Sequence, residues 1–194
     1  MSIKNRPNVN PRVLPVIADR WSPRSFDGST MPEEDLMVMF EAAGLAASAF
    51  NYQPWRFQYC LRSDPSWDDF VNLLIPFNID WAKSASALIF AISETTVNKD
   101  GNSSPSASHS FDTGAAVSYL TLQARALGYH SHVMGGVDHS KARPALGLLD
   151  NEKLEVAVAV GSKASPDGLP DHLKSSEKPA DRKSLETIIT RGFG

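Results

Sequence analysis

Four short stretches of this sequence hold residues able to grip an anion or a flat heterocycle. In Arg20-Trp21-Ser22-Pro23-Arg24, Pro23 has no amide hydrogen and disfavours helical angles at Ser22, so an extended run is expected. Alternate residues of an extended chain share a side, which would group Arg20, Ser22 and Arg24. Two guanidinium groups around a hydroxyl suit phosphate, because their donors match its oxygens in fork geometry. Taken alone, the plainer reading comes first: a solvated basic edge. In Ser48-Ala49-Phe50-Asn51-Tyr52-Gln53-Pro54-Trp55, Pro54 again favours an extended residue before it, turning Asn51 and Gln53 the same way. Their amides both donate and accept, which suits a heterocycle edge or sugar hydroxyls. A turn satisfying its own backbone fits those residues equally. Met134-Gly135-Gly136 would let backbone approach a flat ligand closely, although an isolated glycine pair is more often a plain turn. Arg182-Lys183 adds positive charge near the C-terminus, where solvated surface charge is the simpler account.

Other chemistries find little support. The sequence has no glycine-rich dinucleotide fingerprint after a strand, no phosphate-loop motif and no Gly-x-Ser-x-Gly elbow. His130 and His132 could share a strand face, but two histidines without a third ligand make a poor zinc site. His109, His139 and His172 fall in or beside expected loops and read as solvated. Cys60, the one cysteine, reads as strand packing and not as a nucleophile.

The elements that must position these residues follow from periodicity. Apolar residues at helical spacing predict a helix over Glu33–Leu45, and alternation predicts a strand over Trp55–Leu61. A short helix over Trp67–Leu74 and a buried strand over Ala87–Ile92 are expected next. The clearest helix runs from Asp112, read as its cap, to Leu127, closed by Gly128. A brief strand at His130–Met134, a helix at Lys141–Leu148 and a second buried strand at Leu154–Val160 complete the set. Asn98–Ser110, rich in Ser, Asn and Gly, reads as a mobile loop. Ser165–Asp181, rich in Pro, Gly and charge, reads as an arm leaving the core. Periodicity alone leaves α+β and α/β sandwiches open.

The 194 residues fit one domain, with 42% hydrophobic and 21% charged residues. A net charge of -3 gives no sign of a nucleic-acid partner, which would favour a basic patch. No apolar run approaches the roughly 20 residues that cross a bilayer. The polar start lacks the apolar stretch of a secretion signal, so a cytoplasmic protein is expected.

Taken in order, the stretches resemble the motifs of the nitroreductase family of flavoproteins. Arg20-Trp21-Ser22-Pro23-Arg24-Ser25-Phe26 resembles its Arg-x-Ser-x-Arg-x-Phe motif. Ser48 to Phe57 resembles its Ser-x-x-Asn-x-Gln-Pro-Trp-x-Phe signature. Leu127-Gly128-Tyr129 through Met134-Gly135-Gly136-Val137-Asp138 resembles its Leu-Gly…Gly-Gly-x-Asp segment, and Arg182-Lys183-Ser184-Leu185 its C-terminal basic motif. The resemblance implies an α+β three-layer α/β/α sandwich around a mostly antiparallel sheet, in a homodimer with exchanged terminal segments. It implies one FMN-binding domain over residues 1–194, with a flexible N-terminus to about residue 10 and an extended C-terminal arm from about residue 165. Arg20, Ser22 and Arg24, with Trp21 between them and Arg182 or Lys183 from the far end, would hold the FMN phosphate. Ser48, Asn51 and Gln53 would contact the flavin and its ribityl chain, some of them on the partner subunit's cofactor. Asn78 would meet the pyrimidine edge, and the backbone at Met134, Gly135 and Gly136 the flavin around N5.

The implied activity is ping-pong transfer of a hydride from NAD(P)H through flavin N5 to a small electrophilic acceptor, a nitroaromatic or a quinone. No protein nucleophile and no metal is called for. A protein that carries FMN without turnover is the alternative, and a cofactor-free interaction module is a third reading. Larger family members carry a helical excursion where this chain has only Asn98–Ser110.

Overall fold

The computed structural model describes residues 9–193, so most of the N-terminal stretch expected to be flexible lies outside them. Four antiparallel strands form the central sheet in the order β1-β2-β6-β5: β1 Trp55–Leu61, β2 Ala87–Glu94, β5 His130–Met134 and β6 Glu152–Gly161. β2 lies between β1 and β6 and is buried on both faces. Its odd-numbered residues Ala87, Ile89 and Ala91 point into one apolar cluster and Leu88, Phe90 and Ile92 into the other. That arrangement explains an unbroken apolar run in an antiparallel sheet, where alternation is the usual pattern. Helices cover both faces, giving the three layers.

On one face lie α2 (Glu33–Gly44) and α5 (His109–Ala126), packed on each other. Leu36, Met39 and Ala43 of α2 and Ala116, Val117, Leu120 and Ala124 of α5 recur at helical spacing and are all buried. The other face carries α3 (Trp67–Val71), α4 (Pro76–Ala82), α6 (His139–Ala145) and α7 (Asp171–Lys174). Trp67, Val71, Trp81 and Ala142 meet Leu88 and Phe90 there. A short helix, α1 (Pro15–Asp19), is tied to α5 by an ion pair of 2.6 Å between Asp19 and Arg125 Nε. Cys60 is sealed in the core at 2% exposure, and burial pushes its thiol pKa up. Among the described residues no helix is long and apolar enough to cross a membrane.

Several expectations need correction. Asn98–Ser110 is no single loop: β3 (Thr96–Lys99) and β4 (Asn102–Pro105) pair as a hairpin, and the chain then enters α5. Asp100 and Gly101 form its turn with φ of 52° and 81°, the pair of positive values that a tight two-residue hairpin turn requires. Helix α5 begins at His109, so Asp112 sits inside its first turn and is not the cap. His109 is therefore half-buried, with Nδ1 2.8 Å from Ser93 Oγ, and not solvated. The segment from Ser165 does not leave the body at once, because Leu169 and Leu173 bury themselves in the core beside Trp81. Exposed chain begins at Ala180.

Candidate functional site

Arg20 closes α1 in an extended conformation, and the segment to Phe26 then runs along the sheet edge. Phe26 bridges Lys163 just beyond β6, Asp27 N donates to Ser162 O, and Ala164 N donates to Ser25 O. His132 of the edge strand β5 places Nδ1 3.0 Å from Pro23 O. The expected alternation holds for its first half: Arg20 Nη1 donates to Ser22 Oγ at 3.1 Å. Both residues line a cavity of about 510 Å³, with Thr113, Gly114 and Val117 of α5 and Val133 of β5. Arg24 is not on that wall. Its Nε is buried without a hydrogen-bond partner among the described residues, as is Thr113 Oγ1 on the cavity wall. Trp21 faces the opposite side, stacking edge-on against His130 at 6.2 Å in a separate cavity of about 420 Å³.

His130 and His132 are held as neutral imidazoles, both with pKa lowered to about 4. Burial is the main cause; Arg125 and Lys163 add to it at His130, and Arg24 and Arg20 at His132. Positive charge along this edge therefore comes from the arginines and not from imidazolium.

The Ser48–Gln53 loop is a strained 3-10 turn and not an extended run. Phe50, Asn51 and Gln53 have φ of 50°, 58° and 50°, values uncommon outside glycine and often found where function over-determines the backbone. Internal hydrogen bonds hold it: Gln53 N donates to Ser48 Oγ at 3.0 Å, and Gln53 Nε2 to Asn51 O at 3.2 Å. Its outside anchor is the buried carboxylate of Asp112, which accepts from Ala49 N at 3.2 Å and Ser108 Oγ at 2.8 Å. Sequence reasoning saw Asp112 only as a cap. The loop thus hangs on the first turn of α5, whose residues Ser110, Thr113 and Gly114 also line the near end of the Arg20 cavity, which runs on to Thr121. Asn51 and Gln53 are exposed and do not line that cavity in the same chain.

Strand β5 ends on Met134, and the two glycines after it differ. Gly136 O accepts from Asn78 Nδ2 at 3.0 Å and from Ile75 N at 3.2 Å. A Cβ on Gly136 would come within 2.4 Å of Asn78 Nδ2, so a side chain there would have to displace Asn78. A Cβ on Gly135 would meet nothing within 4 Å, leaving its backbone open to approach. Asn78, 7% exposed, spends its amide on fixing Gly136, a role its sequence position did not suggest. Asp138 follows as the cap of α6, held near a pKa of about 2 by Ser140 and Lys141. Arg182 and Lys183 are exposed; Arg182 Nη1 donates to the carbonyls of Ala180 and Asp181, and neither residue lines the Arg20 cavity.

The family model of the nitroreductase family matches residues 17–66 and 76–162. The chain belongs to the nitroreductase family. The matched residues include Arg20–Arg24, Ser48–Gln53, Asn78 and Met134–Gly136, whereas Arg182 and Lys183 lie beyond them. A solved oxidoreductase containing FMN is 42% identical, with a TM-score of 0.94 over 100% of this chain and 97% of its own. A nitroreductase family protein of Streptococcus pneumoniae, 20% identical, shares the fold with a TM-score of 0.70 over 89% of this chain and 96% of its own. Among curated relatives, the CLA biosynthesis enone reductase of Lactiplantibacillus plantarum is 27% identical over 191 residues, 80% of this chain and 88% of the relative. The major NAD(P)H-flavin oxidoreductase of Aliivibrio fischeri is 33% identical over 94 residues, a match to 44% of this chain and 42% of that protein.

Proposed function

We propose that this protein binds FMN and is an oxidoreductase that oxidises NAD(P)H and reduces a small electrophilic acceptor, working as a homodimer. The observation that carries the reading is the pairing of Arg20 and Ser22 on a cavity wall beside an edge strand that ends in the open backbone of Gly135. The donor set fits the cofactor. Arg20 and Ser22 offer hydrogen-bond donors to a phosphate, and Arg24, off that wall but two residues on, has a buried, unpartnered Nε that needs an acceptor. Arg182 or Lys183 would supplement them from the C-terminal segment. Gly135, between the side chain of Met134 and the pinned Gly136, is where the chain can bring main-chain donors against a flat ring, and Asn78 keeps that backbone in place.

When bound, FMN supplies two-electron exchange with NAD(P)H and then with the acceptor; the protein binds and orients it. Ser48, Asn51 and Gln53 would meet the flavin of the partner subunit, since none of the three lines the Arg20 cavity of its own chain. Such a site needs a second copy, which is why the reading includes a homodimer. The full-length likeness to an FMN-containing oxidoreductase and the nicotinamide- and enone-using relatives support the redox role.

The test is direct. The purified protein should show a flavin absorbance band, and NAD(P)H should bleach it within catalytic times in a stopped-flow trace. Replacing Arg20 and Arg24 together by Ala should weaken FMN binding by at least about tenfold, in line with the loss of charge-assisted hydrogen bonds. A tightly bound flavin that NAD(P)H leaves oxidised would make the protein a flavin carrier, and no FMN affinity at all would sink the reading.

A further inference from the structure

Among the contacts between the Arg20 segment and the C-terminal arm, Ser25 Oγ donates to Ser165 O, and a second contact, further along the arm, has no part in the cofactor reading. Glu177 Oε1 accepts from both Arg24 N and Ser25 N, each at 2.8 Å. These are consecutive main-chain donors on a segment where Pro23 has none, and Ser25 is buried at 4% exposure. Without the carboxylate, two donors there would lose their partner, and an unsatisfied buried donor is costly. Glu177 stands 152 residues from Ser25, so the bond adds a second long-range tie to the one that Ala164 N makes with Ser25 O and extends it to Arg24. Arg24 Nε and Glu177 Oε2 are themselves both buried and unpartnered among the described residues. The carboxylate therefore holds the main chain of Arg24 without a hydrogen bond to its Nε. Leu173 buries four residues before Glu177 and fastens the same stretch to the core. Arg182 follows five residues after Glu177, within about 18 Å of fully extended chain.

We propose that Glu177 is a positioning residue for the phosphate clamp: by bridging the amides of Arg24 and Ser25 it sets where Arg24 presents its charge and where the basic C-terminal segment departs. The inference rests on the FMN reading above and adds to it a residue that touches no ligand. Its negative charge alone would oppose a phosphate, so any gain in affinity that it brings must come through geometry.

Two conservative variants separate the causes. Glu177→Asp keeps the charge but is one methylene short of the two amides. Glu177→Gln keeps the length and an accepting oxygen but drops the charge. The readout is the affinity ratio between FMN and riboflavin, which differ in the phosphate, measured by fluorescence titration of the full chain. Glu177→Asp should lower the preference for FMN roughly tenfold, as expected for misplacing a charge-assisted contact. Glu177→Gln should keep it within about threefold of the wild type or raise it. An unchanged preference in Glu177→Asp would overturn the proposal, and a loss confined to Glu177→Gln would assign the effect to charge; an equal loss in both variants would also overturn it, since a role through geometry spares Glu177→Gln. A wild-type protein with no preference for FMN over riboflavin would overturn the phosphate reading itself, a failure visible before either variant is made.

Discussion

Single atoms decide what the glycines at the end of β5 tolerate. A methyl at Gly136 would sit 2.4 Å from Asn78 Nδ2 and 2.7 Å from Ile75 Cδ1, so both neighbours must move. Gly136→Ala should cost about 1–3 kcal/mol, as overpacking does, and lower the melting temperature of the flavin-free protein. Gly135→Ala adds its methyl to open space and should leave that temperature within about a degree or two, yet weaken flavin binding. Equal effects of the two changes on both measurements would mean that the glycines have no division of labour. The buried histidines make a second residue-scale prediction. His130 and His132 titrate at about 4 in the folded chain, against roughly 6.5 when unfolded. The unfolded chain therefore takes up protons first as pH falls. The stability that the neutral rings contribute is complete above about pH 6.5 and is lost progressively toward pH 4. The urea midpoint should drop between about pH 7.5 and pH 5, and less so in His132→Gln. A midpoint that is the same at both pH values would refute the claim.

At the scale of elements, the strained Ser48–Gln53 loop and the first turn of α5 act as one unit through Asp112. Asp112→Ala removes the acceptor of Ala49 N and Ser108 Oγ and should destabilise the protein by about 1–3 kcal/mol. It should also free the loop, seen as faster amide exchange at Ala49 with little change around Arg20. Exchange that rises at both places would make Asp112 a general core residue. The β3–β4 hairpin predicts the opposite pattern, since every residue of β4 is exposed. Replacing Asn98–Ser104 by a short linker should change KM for bulky acceptors while sparing FMN affinity. Equal change for every acceptor and for FMN would make the hairpin a scaffold element.

These elements also show what a sequence can disclose. Strand β1 begins and ends where alternation of apolar and polar residues places it, and β5 stops at the glycine pair expected to end it. The hairpin was hidden by the lack of any apolar face, although Asp100-Gly101 was a usable turn signal. The C-terminal segment was misjudged because Leu169 and Leu173 are isolated among prolines and charges, and only the fold shows a core within reach. At the site, the alternation of Arg20 and Ser22 was legible, being local. The work of Asp112, Asn78 and Glu177 was not, since each acts on a partner more than 50 residues away.

For the whole molecule, the uncovered apolar side chains matter most. Phe50, within the loop that carries Asn51, and Phe111, at the start of α5, are 89% and 82% exposed. Large apolar groups left open together mark a surface that another protein covers. The proposed homodimer should bury more than about 2,000 Å², as permanent interfaces do, and bound FMN should strengthen it by mass action. Sedimentation at low micromolar concentration, with and without FMN, checks this. A monomer that still holds FMN and turns over would rule out the shared site.

The sealed Cys60 has a practical consequence for that same experiment. A thiol buried in the core, with its thiolate disfavoured, is nearly invisible to maleimide reagents while the chain is folded. Any cysteine introduced on the surface is then the sole point of attachment, with no native residue to remove first. Ser103→Cys, on the exposed hairpin, would place one spin label on each copy. Two-fold symmetry would then reduce pulsed-dipolar spectra to a single distance, a ruler across the dimer that reports whether the hairpin shifts when an acceptor enters.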